Sequence, residues 1–358
     1  MSHYNSYDSF KIKRSIEKKQ RAKEKAFRKR DEKFSNFIID NSDDYGVVID
    51  VRNHDAYVLY NGDIHLVKLR KDMNIHCNKV ILPGDKVLLS SDMDNLIITN
   101  MIKRSSLLSR IKKDRTRIDD IGITKHIAAN IDLAVIVVSA KEPPLHPKFI
   151  DRYLMILQYS NIPAIICLNK CDLKTEKEDR MLEVYRDLGI PVIETSAYNH
   201  IGIEKFKSYL LGKQSIFVGN SGVGKSSLTN AIMNDHEIKT NSISEKTKKG
   251  RHTTTSSKYY EWDKDSSIID TPGIRSLDVS SFSPIEVQDY FSELSNWKEQ
   301  CKYDDCLHYN EPYESCSVKQ AVSEGLINRE RYESYLKIMR DILDEERSSE
   351  IYSEYRNF

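Results

Sequence analysis

The chain of 358 residues has no apolar run near the roughly 20 residues needed to cross a bilayer, and no apolar segment follows its basic start. Neither a membrane anchor nor a secretory signal is therefore expected. Cysteine is scarce, six in all. Without an export signal, a disulfide framework is not expected either, and a reducing cytoplasmic setting fits. Cys77, Cys167 and Cys171 are scattered and read as reduced residues in or near a core. Residues 1–40 lack both proline and glycine. Charge of one sign is missing overall, with a formal net charge of +1. Its distribution is uneven, because residues 1–40 hold twelve Lys/Arg against six Asp/Glu, while the remainder holds 43 against 48. Such a basic arm suits a polyanionic partner, and a solvated tail with no specific partner stays open as the alternative.

From about Asp43 short β-like runs appear: Tyr45–Val51, Ala56–Tyr60, Ile64–Leu69, Lys86–Leu89 and Leu96–Thr99. Asn61-Gly62 between two of them is a strong hairpin signal. Five such runs suit a small barrel of the OB type, a common nucleic-acid-binding fold, with an SH3-like barrel as competitor. Residues 103–126 are basic and polar and are expected to be a linker. Strand and helix signals then alternate. Leu133–Val138 and Ala164–Leu168 are continuous apolar runs, as in parallel strands buried on both faces, and Phe149–Tyr159 has helical spacing. Val192-Ile193, Ile216–Val218 and Ile268-Ile269 supply further strands, so an α/β sheet with ligand loops at its carboxyl edge is expected. From about Ser283 the chain reads as helical and polar. The expected divisions are a basic arm (1–40), an OB-fold domain (41–105), a nucleotide-binding α/β domain (106–282) and a metal-binding helical domain (283–358).

The motifs carry the chemistry. Gly219-Asn220-Ser221-Gly222-Val223-Gly224-Lys225-Ser226 fits Gly-x4-Gly-Lys-Ser between an apolar strand and an amphipathic segment that begins at Ser227. Its backbone N–H groups can wrap phosphates, Lys225 can reach the β- and γ-phosphates, and Ser226 can ligate Mg²⁺. Asn169-Lys170-Cys171-Asp172 follows a strand. An Asp carboxylate there accepts from guanine N1–H and the 2-amino group, a donor pair adenine lacks, and an acceptor left unpaired costs about 1–3 kcal/mol. Asp172 is thus expected to select GTP, with the Lys170 stem packed along the base. Thr195-Ser196-Ala197 would buttress the base through its backbone. In Asp270-Thr271-Pro272-Gly273, Asp270 would hold Mg²⁺ through water and the Gly273 N–H would sense the γ-phosphate. One threonine of Gly250-Arg251-His252-Thr253-Thr254-Thr255, flanked by Lys246, Lys248 and Lys249, would complete the Mg²⁺ shell as a switch. The spacing does not say which, and Thr254 is the candidate.

Cys301-x4-Cys306-x-His308-x7-Cys316 offers three thiolates and an imidazole, the ligand set of a closed structural zinc site.

The order of the nucleotide motifs is unusual. The base-reading motif precedes the phosphate loop, whereas ordinary small GTPases place the phosphate loop first. That order, the Gly-Arg-His-Thr-Thr segment, the small barrel and the Cys/His cluster together resemble the bacterial RsgA family (also called YjeQ) over roughly residues 41–330. The resemblance implies a circularly permuted P-loop GTPase that acts in biogenesis of the small ribosomal subunit, binding its rRNA. It also points to His252 as the water-positioning residue, since Ile274 occupies the place of the glutamine that Ras-like proteins use. The family's zinc motif usually has a shorter gap before its last Cys, which Glu311–Ser315 lengthens here. The basic arm lies outside the resemblance. Expected cofactors are one Zn²⁺ per chain and Mg²⁺ with GTP; expected partners are GTP/GDP and the small subunit, with the chain itself a monomer. A nucleotide-dependent change would be passed from Gly273 into residues 284–358, which follow almost directly. Two other readings stay open: an RNA-binding adaptor with a structural nucleotide site, and a GTPase switch for a non-ribosomal protein.

Overall fold

The computed structural model describes residues 37–52, 55–69, 81–92, 95–112, 123–233, 258–270, 279 and 282–355. Most of the basic arm, Cys77, the Lys246–Thr255 segment and the Thr271–Ile274 segment lie outside the described residues. The chain divides into two compact units, one running to Lys103 without Leu82–Gly84, the other comprising Leu82–Gly84 and Arg104 onward.

The first unit contains β1 (Ile38–Ile39), β2 (Gly46–Arg52), β3 (Asp55–Tyr60), β4 (Asp63–Leu69), β5 (Lys86–Asp92) and β6 (Asn95–Ile102). Their order is β1-β6-β4-β3-β2-β5, and β5 also pairs with β6, so β2 to β6 close into a five-stranded barrel. The β3–β4 hairpin turns at Asn61 (φ 52°) and Gly62 (φ 84°), both in the left-handed region that a two-residue turn requires. Alternating residues such as Ala56, Val58, Val67 and Leu69 point inward and join Val48, Val87, Ile98 and Met101 in its core.

In the second unit the described parts of the expected linker are instead strands. β7 (Leu107–Lys112) and β8 (Ile123–Ala129) form an antiparallel ribbon, with Leu107 opposite Ala129 and Lys112 opposite Ile123. Leu108 and Ala128 are fully buried, so one face of a polar-looking stretch supplies enough apolar contact to order both strands.

The main sheet contains β9 (Leu133–Ser139), β10 (Ala164–Asn169), β11 (Val192–Glu194), β12 (Gln214–Val218), β13 (Lys258–Asp263) and β14 (Ser266–Asp270) in the order β11-β10-β9-β12-β14-β13. All neighbours run parallel except the β13–β14 pair. All seven residues of β9 are buried. Ala134, Ile136 and Val138 face one core, and Leu133, Val135 and Val137 face the other. That explains an unbroken apolar run where a one-sided strand would alternate. Strands β9 to β11, whose loops would read the base, precede β12, whose loop would hold phosphate, and this is the circular permutation. Helices α1 (Pro147–Tyr159), α2 (Glu176–Asp187), α3 (Ile203–Leu210) and α4 (Lys225–Met233) belong to this half.

The C-terminal part adds α5 (Pro284–Val287), α6 (Ser292–Lys298), α7 (Ser317–Ser323) and α8 (Arg329–Tyr355). It shares a core with one face of the sheet: Phe291, Leu294, Val318, Tyr335 and Ile338 join Ile150, Tyr153 and Ile156 of α1. A buried ion network crosses the same contact. Arg331 of α8 pairs with Asp151 of α1 at 2.5 Å and with Glu293 of α6 at 2.6 Å, and the Tyr185 hydroxyl donates to Asp151 at 2.7 Å. Among the described residues, no helix is long and apolar enough to cross a membrane.

Candidate nucleotide and metal sites

The sheet register brings the expected motifs to one edge. Phe217 of β12 stands opposite Asp270 of β14, Val218 opposite Ile136 of β9, Asn169 of β10 opposite Ser139 of β9, and Leu168 opposite Glu194 of β11. The motifs at residues 169–172, 195–197, 219–226 and 270 therefore all leave the carboxyl ends of adjacent strands, where α/β sheets bind ligands.

The phosphate loop runs from β12 into α4, which starts at Lys225. Two glycines are demanded by close approach. A Cβ on Gly219 would lie 2.4 Å from the Val137 carbonyl oxygen, and one on Gly224 (φ +94°) 2.2 Å from the Asn169 amide nitrogen. The Lys225 ammonium donates to the Gly219 and Asn220 carbonyls at 2.8 and 3.0 Å, which holds its charge over the loop. Ser221, Gly222, Ser226 and Ser227 are exposed, while Val223 is buried beneath the loop. An open rim of backbone N–H groups, a cation and the first turn of a helix can hold a polyphosphate.

Asn169 does more than the spacing suggested. Only 2% exposed, it donates from Nδ2 to the Val223 carbonyl at 2.9 Å, and its Oδ1 accepts from the Ala197 N–H at 3.1 Å. One side chain thus joins the phosphate loop to the Thr195-Ser196-Ala197 loop. Backbone bonds extend the clamp: the Cys171 N–H donates to the Thr195 carbonyl at 3.0 Å, and Ser196 exchanges two bonds with Ile201 at 2.9 and 3.1 Å. Thr195 and Ser196 are buried, whereas Asp172, on the 3-10 turn Cys171–Leu173, is exposed with its carboxylate free to meet a base. Lys170 adopts a left-handed backbone (φ 57°) and its ammonium reaches the Glu142 carbonyl. The loop after β9 is thereby a wall of the site that no motif announces. Ser139 helps to shape it by donating to the Pro143 carbonyl at 2.7 Å. Asp270 closes the edge at the end of β14, and burial followed by its charge pushes the Tyr260 phenol up. His252, Thr254 and Gly273 lie outside the described residues.

The structure brings together all four residues of the Cys/His cluster, whose ligand atoms lie within 4.8 Å of one another. Cys301, Cys306 and Cys316 place their sulfurs 3.6, 3.3 and 3.4 Å from His308 Nδ1. A tetrahedral zinc, with Zn–S about 2.3 Å and Zn–N about 2.0 Å, spaces sulfur and nitrogen about 3.5 Å apart, so the donor set fits that ion. His308 is fully buried, and burial drives its imidazole down to about 4, leaving it neutral with a ring nitrogen to offer. Burial also pushes the Cys306 thiol up to about 12 and raises Cys316. Against its own burial, Cys301 is pulled down by the Ser317 hydroxyl and by the Val318 and Ser317 N–H groups. Thiols held this way become good ligands only where a cation displaces their protons. The lengthened gap before Cys316 is put to use. Glu311 accepts from the Leu307 and Tyr309 N–H groups at 2.7 and 2.8 Å, and Tyr332 and Tyr335 donate to the His308 and Leu307 carbonyls, each at 2.6 Å.

Residues 101–280 match the model of the RsgA GTPase. A Thermotoga petrophila protein named small ribosomal subunit biogenesis GTPase RsgA is 36% identical over 287 residues, covering 79% of this chain and 90% of that one. The chain belongs to the RsgA GTPase family. Solved structures agree. YjeQ from Thermotoga maritima superposes with a TM-score of 0.65 at 32% identity, over 84% of this chain and 98% of that chain. YloQ, described as a circularly permuted GTPase, gives 0.61 at 26% identity over 84% and 95%. The RsgA family thus shares the permuted order read here from β9 to β14.

Proposed function

We propose that the chain hydrolyses GTP in the assembly of the small ribosomal subunit, binding the subunit's rRNA and cycling on and off with its nucleotide state. The observation that carries this reading is the Asn169 clamp, which holds a phosphate loop and a base-buttressing loop together beside the exposed carboxylate of Asp172. Membership of the RsgA family and the relatives' shared name supply the ribosomal part.

In this reading Asn169, Lys170, Asp172, Ser196 and Ala197 hold guanine, and Gly219 to Ser227 hold the phosphates. Lys225 offsets the charge that develops on them, while Ser226, Asp270 and Thr254 hold Mg²⁺. Gly273 senses the γ-phosphate and His252 positions water. Cys301, Cys306, His308 and Cys316 hold one zinc, which acts structurally because four strong ligands leave no open position. The divisions are an arm (1–40), a barrel (41–105), the permuted GTPase (106–282) and a zinc domain (283–358), with arm, barrel and zinc domain on the rRNA. The chain acts as a monomer in the cytoplasm.

Turnover measured with and without isolated small subunits, beside an ATP control, tests the whole. GTP-specific hydrolysis that rises strongly with the subunit is expected; turnover indifferent to the subunit would sink the ribosomal part. With subunits present, His252→Ala is expected to slow hydrolysis by about 100-fold, in the range of a lost proton-handling or water-orienting group. Unchanged turnover would remove His252 from the mechanism. Asp172→Asn should exchange base preference, because an amide can donate to the C2 carbonyl of xanthine where a carboxylate accepts from the amino group of guanine. A gain for XTP and a loss for GTP of about 10- to 100-fold each is expected from 1–3 kcal/mol per mispaired polar group. Equal affinity for both bases would place Asp172 away from the base.

A further inference from the structure

Gln288 belongs to none of the motifs, yet it is buried and both ends of its amide are used. It stands on the 3-10 turn Gln288–Tyr290 that follows α5. Its Nε2 donates to the Ile285 carbonyl at 3.0 Å, and its Oε1 lies 2.9 Å from His308 Nε2. The Ile285 carbonyl can only accept, so the nitrogen end of the amide must face it and the oxygen end must face the imidazole. A neutral imidazole carries one N–H. Gln288 Oε1 claims that proton at Nε2 and leaves the Nδ1 lone pair facing the three sulfurs.

The same segment continues the chain from the Asp270 motif. Phe282, twelve residues beyond Asp270, packs edge-on against Tyr159 of α1 at 5.0 Å and against Tyr290 at 5.8 Å. Tyr290 is two residues from Gln288. The stretch 282–290 is thus fastened at one point to the GTPase helix α1 and at another to the imidazole of the Cys/His cluster.

We propose that Gln288 is the positioning residue of the metal centre, presenting His308 Nδ1 to the ion and thereby tying the stretch that follows the Asp270 motif to that centre. This rests on the zinc reading above. It makes the metal a fixed anchor for the end of the switch region, with Gln288 as the connection.

The test uses the full-length chain and Zn²⁺ itself, with affinity read by competition against a chromophoric chelator and hydrogen exchange followed over residues 282–290. Gln288→Met keeps the length of the side chain and removes both polar ends. It is expected to weaken Zn²⁺ binding by about 10- to 100-fold, the usual cost of losing such a partner, and to speed exchange over 285–290. Gln288→Glu keeps an acceptor for His308 Nε2–H but turns an oxygen toward the Ile285 carbonyl, so it is expected to bind Zn²⁺ more weakly than the parent and clearly more tightly than the Met variant. Where the methionine variant does not fold, Gln288→Asn withdraws the acceptor by one methylene and should weaken Zn²⁺ in the same direction. Parent-like zinc affinity in the Met or Asn variant overturns the proposal, and so does a Glu variant as weak as the Met variant, because packing alone would then explain the residue. A parent chain that takes up no Zn²⁺ refutes the zinc reading instead. The tie between Gln288 and His308 is then judged by exchange alone, which Gln288→Met must still accelerate for the tie to stand.

Discussion

Asn169→Ala is expected to weaken GTP and GDP binding by at least about 100-fold while leaving the sheet folded. The residue bridges the phosphate loop and the loop at Thr195–Ala197, and its removal strands the Val223 carbonyl and the Ala197 N–H. Each buried polar group left without a partner costs about 1–3 kcal/mol, so two give about 2–6 kcal/mol, and 1.4 kcal/mol is a factor of ten. Not all of that falls on affinity, since part is lost in the free protein as well. Asn169→Asp is the sharper comparison. It is nearly isosteric and can still accept from Ala197, but it turns an oxygen toward the Val223 carbonyl. If Asn169 acts as a clamp, Asp should be almost as damaging as Ala. Near-normal affinity of the Asp variant, measured by displacement of a fluorescent guanine nucleotide, would mean that shape alone matters. Gly224 supports the clamp reading, because its missing Cβ is what lets the Asn169 amide sit at the loop.

Arg331→Met is expected to lower the unfolding free energy by about 3–5 kcal/mol, the range found when one member of a buried ion pair is removed. The guanidinium is only 6% exposed and the Asp151 side chain 0%, with Glu293 the second carboxylate. Phe291 lies under the guanidinium plane at 4.5 Å, so packing is lost along with charge. Burial pushes the Asp151 carboxyl up while Arg331 pulls it down, helped by the Ser334 and Tyr185 hydroxyls, and without Arg331 only those two hydroxyls oppose the upward push. A carboxyl raised above its unfolded value destabilises while ionised and stops doing so once protonated. The defect should therefore shrink as pH falls through the carboxylate range. Urea unfolding midpoints at neutral and mildly acidic pH would read this, and a defect that grew on acidification would contradict it. The double variant Asp151→Leu with Arg331→Met should recover much of the loss, since apolar replacement of a whole buried network is often tolerated. The network crosses the contact between α1 and α8, so its loss should also loosen the packing of the C-terminal helices on α1.

What could be read directly from residues shares one property, locality. The phosphate loop is legible because strand, glycines, lysine and helix start lie within about a dozen residues. The β3–β4 turn is legible because Asn-Gly itself adopts the left-handed backbone that the hairpin needs. The double-sided burial of β9 shows in an apolar run with no polar break. The β7–β8 ribbon is not legible because its apolar residues Leu108, Ile111, Ile123 and Ile127 do not keep a period of two: a bulge between Leu108 and Ser109 breaks it, and charged residues stand among them in the sequence.

The rest required the chain to come back on itself. Asp151 and Arg331 are 180 residues apart, and nothing in a helix rich in Glu and Arg marks one arginine as buried. The one available hint was a carboxylate on the apolar face of α1, between Ile150 and Tyr153. Gln288 is a lone amide twenty residues from His308. The sequence by itself determined where the nucleotide motifs stand, their permuted order and which four Cys/His residues come together, because each motif is written in short spacings whose backbone geometry is set locally. Only the tertiary structure decided that Asn169 joins two loops, that Arg331 fastens α8 to α1 and that Gln288 orients His308. In each case one polar group must find a partner from a distant element once both have left water, and burial of that kind is settled by the packing of the whole core.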